Sequence, residues 1–78
     1  MDIHTIHNDI KLGFHSDATH AREFLQHGMH RTGVQKYLDR ARDNGKSHFF
    51  DPTSGYRFTI EHDKENDTFS VRKSESQH

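Results

Sequence analysis

The chain has 78 residues, with eleven Lys and Arg against twelve Asp and Glu, nine His and no Cys. That length fits one domain, residues 1–78, around one core. Without cysteine there is no disulfide or thiolate metal site, no apolar run nears the roughly 20 residues of a membrane helix, and a formal charge of −1 lacks the basic excess of a dedicated nucleic-acid binder.

Only 28% of the residues are hydrophobic, and a chain this small buries only about 60% of its unfolded surface. A partner or a homodimer contact would add buried area. The first residues carry no signal-type apolar core, so a cytoplasmic protein is expected.

Along the chain, Ile3, Ile6 and Ile10 are spaced for a helix face, whereas Ile10, Leu12 and Phe14 alternate with Lys11 and Gly13. The alternation predicts a short strand over 9–14 after a loosely ordered segment 1–8. Ser16 or Asp17 can cap a helix, and Ala18, Ala21, Phe24 and Leu25 form its apolar stripe. It is predicted over 17–27, with Gly28 just past its end. Thr32-Gly33-Val34-Gln35 reads as a capping box. Val34, Tyr37, Leu38 and Ala41 follow at i, i+3, i+4 and i+7, and Asn44-Gly45 ends the helix.

Residues 47–72 read as three strands. Tyr56, Phe58 and Ile60 alternate with Arg57, Thr59 and Glu61, and Phe69 and Val71 with Ser70 and Arg72. Asp51-Pro52-Thr53-Ser54-Gly55 and Asp63-Lys64-Glu65-Asn66 supply the turns. A four-residue loop at 63–66 pairs Ile60 with Phe69 and sets Arg57 opposite Arg72. Residues 74–78 read as a loose polar tail.

The fold class is therefore α+β, in the order (β)ααβββ. A two-helix hairpin packs on one face of a three- to four-stranded antiparallel sheet. The expected core is Phe24, Leu25, Val34, Tyr37, Leu38, Ala41, Tyr56, Phe58, Ile60, Phe69 and Val71.

Three chemistries are candidates. The histidines lie in pairs three apart, His4 with His7 and His27 with His30. A zinc site needs three or four converging ligands, so no metal residue is assigned and no cofactor is expected. A metal- or pH-responsive histidine site ranks third among the functions. Acid–base cleavage of RNA needs a base, an acid and a cation, for which His48, His62, Arg57 and Arg72 are the candidates. Partner binding is the reading we favour. Phe49 and Phe50 are adjacent and must face opposite ways in a strand, so one lies outside a one-sided core. Phe49, Phe50, Tyr56, Arg57, Thr59 and Arg72 form the candidate binding set.

Gly45-Lys46-Ser47-His48-Phe49, with Pro52, Gly55, Arg57, Thr59-Ile60 and His62, resembles the strand region of HicA-type messenger-RNA interferases. The resemblance implies a catalytic role for His48 alone, with Lys46 standing inside the Gly-Ser-His motif. The order strand, two helices, three strands is similar to that of RelE-type ribosome-dependent nucleases, and Thr19-His20-Ala21-Arg22 through Gly28-Met29 echoes a family related to them. The expectation is a small non-catalytic binding or regulatory protein with a protein partner, of the kind found in phage, plasmid and toxin–antitoxin systems. The alternative is a small interferase-like RNase acting on RNA.

Overall fold

Residues 2–74 are described by a computed structural model. The chain forms β1 (Asp2–Ile6), β2 (Ile10–Phe14), a 3-10 turn (Ser16–Ala18), α1 (Thr19–Glu23), a π-helical turn (Phe24–Gly28), α2 (Arg31–Asn44), β3 (Lys46–Asp51), β4 (Tyr56–Asp63) and β5 (Thr68–Lys73). The strands make one sheet in the order β1-β2-β5-β4-β3. The fold is α+β, with five strands rather than three or four. The sheet is mixed rather than antiparallel, because β2 runs parallel to β5, Phe14 beside Val71.

The segment expected to be loose is the edge strand β1, and it forms a hairpin with β2 in which Ile6 pairs with Ile10. His7 and Asn8 turn the chain with φ of 48° and 74°. No glycine marks this turn, and Asn is among the few residues that tolerate the left-handed region. The tip is held by the helices. His7 donates its N–H to Gln26 Oε1 at 2.9 Å and bonds the Leu25 carbonyl through Nε2 at 2.7 Å. Asp9 takes Arg31 through both carboxylate oxygens.

The first helix does not run as one α-helix over 17–27. It starts as a 3-10 turn and widens to a π turn over Phe24–Gly28. The Phe24 ring lies so close to Gly28 that an added Cβ would sit 2.6 Å from Phe24 Cδ1. Ala18 and Ala21 are fully buried beneath the helix. The capping box is not used. His30 is the N-cap in extended backbone without a side-chain cap, and Arg31 is already helical. Arg31 is tied to Asp9, which draws the helix start ahead of Thr32, while Gln35 turns instead to Asp39 Oδ1. Gly45 ends α2 as expected, at φ 91° with its N–H on the Ala41 carbonyl.

Both helices cover one face of the sheet. Val34, Leu38 and Ala41 of α2 and Leu25 meet Leu12, Phe14, Phe49, Phe58, Ile60 and Val71. Phe49 is the centre of an aromatic row, with ring centroids 6.1 Å from Phe24, 6.0 Å from Tyr37 and 5.5 Å from Phe58. Ser47 is a polar residue on the buried face of β3, and its hydroxyl donates to the Tyr37 carbonyl at 2.7 Å. Tyr56, expected in the core, is 42% exposed, because it begins β4 beside the turn; Lys73 Nζ lies 3.8 Å from its ring centroid. Ser74 donates its N–H to the Arg57 carbonyl; the rest of the expected tail, 75–78, lies outside the described residues.

Candidate functional site

The opposite face of the sheet has no helix over it among the described residues. Strand register decides which side chains reach it. β3 pairs with β4 so that Phe50 is opposite Arg57, His48 opposite Thr59 and Lys46 opposite Glu61. β4 pairs with β5 so that Thr59 is opposite Arg72 and Glu61 opposite Ser70. Paired residues share a face, so Lys46, His48, Phe50, Arg57, Thr59, Glu61, Ser70 and Arg72 all stand on the open side, with Ile3 and Lys11 toward the other edge.

The Arg57–Arg72 opposition is absent. The β4–β5 loop is Lys64–Asp67, because Asp63 ends β4 and ties the turn. Its Oδ1 accepts the Glu65 N–H at 3.0 Å and its Oδ2 accepts from Asn66 Nδ2 at 2.9 Å. Asp67 completes the turn at φ 50°. Moving the loop one residue on moves the register by two, which keeps each residue on its face but changes its partner. Arg72 donates through Nε to Glu61 Oε1 at 3.0 Å, and Arg57 stands beside Phe50.

Of the candidate binding set, Phe50, Arg57, Thr59 and Arg72 share the open face. Phe50 is 54% exposed, whereas Phe49 is buried on the helix side and Tyr56 also faces the helices. Thr59 is buried between neighbours on both sides. Its hydroxyl meets His48 Nδ1 at 2.9 Å and Ser74 Oγ at 2.7 Å.

Of the candidate catalytic set, His48, Arg57 and Arg72 are on the open face. His62 is on the other. Its ring lies 4.9 Å from that of Phe69, its Nε2 meets Asp67 Oδ1 at 2.8 Å, and its Nδ1 is buried with no hydrogen-bond partner among the described residues. Arg42 of α2 closes this corner, lying over Phe69 and 3.8 Å from Asp67. His48 and His62 therefore cannot address one phosphate from the same side.

The Asp67 carboxyl is held below its usual 3.8, first by the hydrogen bond from His62 and then by the Arg42 charge, against desolvation. Asp9 is lowered by its hydrogen bond from Arg31, and Asp63 by those from Asn66 and the Glu65 amide. A carboxyl that titrates lower in the folded than in the unfolded chain adds stability above its unfolded value. That stability is lost as pH falls through the folded one. Urea midpoints are thus expected to drop below about pH 4. Asp67→Asn should lower the midpoint at neutral pH and flatten the acid limb; an unchanged acid limb would discount this corner.

Residue patterning alone did not locate the groove between the first helix and the β3–β4 turn. It has a volume of about 610 Å³ and is lined by His20, Glu23, Phe24, His27, Asp51 and Tyr56 among others. Its only signal in the sequence is the i, i+7 spacing of His20 and His27 on a helix that also presents Glu23. His27 lies 3.7 Å from Glu23. Among the described residues no group of three or more His, Asp or Glu converges as a metal site, and no helix is long and apolar enough to cross a membrane. Comparison with protein-family models, with curated proteins and with solved structures finds no match to this chain.

Proposed function

We propose that this protein is a non-catalytic binding module that engages a protein partner through the open face of its sheet. The observation that carries the reading is the placement of Phe50. It is a large apolar side chain, 54% exposed, on a strand whose other face is already filled by Phe49, and folding does not account for its exposure. Arg57 stands opposite it and His48 two residues away on the same face. Aromatic and Arg side chains together are the residue types that most often anchor protein interfaces. Ile3, 64% exposed at the far edge of the same face, extends the apolar surface. The interferase reading is the weaker one, since its two histidines lie on opposite faces.

The test is capture of a partner from cell extract, followed by rebinding with purified components. Phe50→Ser and Arg57→Glu should each weaken rebinding by about tenfold or more, equal to 1.4 kcal/mol, with thermal midpoints almost unmoved because both side chains are exposed. Full retention by both variants would place the interface elsewhere.

A further inference from the structure

We infer that β3 is an acceptor edge for strand addition, and that its occupant is an extended, acidic segment of the partner. This rests on the open-face reading and gives it a geometry. Among the described residues β3 ends the sheet, with only β4 beside it. The His62 N–H donates to the Gly45 carbonyl at 3.0 Å, just before Lys46 pairs with Glu61. Main-chain bonding in an antiparallel pair alternates from that point. Ser47, Phe49 and Asp51 turn their main-chain groups toward β4. Lys46, His48 and Phe50 turn theirs to the free edge.

The same three residues carry the open-face side chains of β3. One strip of chain therefore offers main-chain donors and acceptors beside an aromatic ring and a cation, the combination that strand addition uses for affinity and specificity. Neither Pro nor a bulge interrupts the strip, as commonly protects an edge.

Charge selects the occupant. Arg57 stands opposite Phe50, and Lys46 lies further along β3 beyond His48; neither makes an ion pair among the described residues, and Glu61, the carboxylate opposite Lys46, is engaged by Arg72. An incoming strand lies against β3, so carboxylates on its open side meet Lys46 directly, with Arg57 one strand further in beside Phe50. A second copy of this chain fits less well. Antiparallel self-pairing about His48 sets Lys46 of one copy against Phe50 of the other, adding a cation next to Arg57. At the opposite edge β1 itself presents the uncharged Ile3 and Thr5, with Lys11 one strand in, opposite Thr5.

The test uses the full chain and a fluorescent peptide alternating Glu and Val, with a Lys–Val peptide of equal length as control. The Glu–Val peptide is expected to bind more than about tenfold tighter, with slowed amide exchange at Lys46, His48 and Phe50. Phe50→Pro removes an edge donor that none of the described strands uses and should abolish binding. Lys46→Glu with Arg57→Glu alters only exposed side chains, keeps the fold, and should reverse the preference between peptides.

Equal binding of the two peptides, tighter binding of single-stranded RNA than of the Glu–Val peptide, or a dimer that protects the β3 amides by itself would overturn the inference. So would peptide-induced changes confined to Lys11 and Ser70, which would leave open-face binding standing. Loss of partner capture in the preceding experiment is a separate failure, of the open-face reading itself.

Discussion

Phe58→Ala is expected to leave the protein largely unfolded at room temperature. Phe58 is 1% exposed and stacks on Phe49, which in turn meets Phe24 of the first helix and Tyr37 of α2. Truncation removes the ring that backs Phe49, on which Phe24 and Tyr37 rest, and opens a cavity in the core cluster. Loss of a buried Phe costs about 3–5 kcal/mol, and a single core of this size rarely supplies more than about 3–5 kcal/mol in total. The far-ultraviolet circular dichroism of Phe58→Ala should therefore resemble that of the urea-unfolded protein. Phe50→Ala, on the other face of the same sheet, should change stability by less than about 0.5 kcal/mol. Similar unfolding midpoints for the two variants would contradict the assignment of the two faces.

The second large effect is expected at Asp51, a carboxylate with 1% exposure. It is buried because it builds the β3–β4 turn. Oδ1 accepts the Thr53 N–H and Oδ2 the Ser54 hydroxyl, each at 2.9 Å, while its carbonyl accepts the Gly55 N–H at 2.8 Å. Asp51→Ala strands the donors of a turn that Gly55 completes at φ 79°, at a cost of about 1–3 kcal/mol. Asp51→Asn keeps an acceptor for Thr53 and should recover most of that loss in urea titrations. If alanine instead equals or exceeds the wild type, the desolvation of the carboxylate outweighs its hydrogen bonds. The turn would then be held by the backbone alone.

Much of the fold was legible where a local pattern coincided with burial. The period-two residues of β4 and β5 and the stripe on α2 identified Val34, Leu38, Ala41, Phe58, Ile60 and Val71, all buried. Phe49 and Phe50, adjacent on β3, part ways as strand geometry requires, with Phe49 inside and Phe50 outside. These readings survive a wrong loop position because a register shift of two keeps side chains on their faces. The Arg57–Arg72 pair did not survive it, since cross-strand partners depend on absolute register. His62 was misplaced with the arginines although its own parity with Phe58 and Ile60 puts it on the helix side. The β1–β2 hairpin was missed because its turn residues, His7 and Asn8, bear no glycine signal. Its conformation is held from outside by Gln26, Leu25 and Arg31.

By itself, the sequence determined an α+β class, the end of α2 at Gly45, the inner face of three strands and one aromatic residue left over. Those are properties of side-chain periodicity and of single-residue backbone preference, both local. Tertiary structure alone decided that β2 lies parallel to β5, that the first helix widens at Phe24, and that Arg72 meets Glu61 while Arg57 meets Phe50. Each of these depends on which distant segments become neighbours, and that is set by the joint packing of Leu25, Phe49 and Val71 rather than by any one stretch of chain.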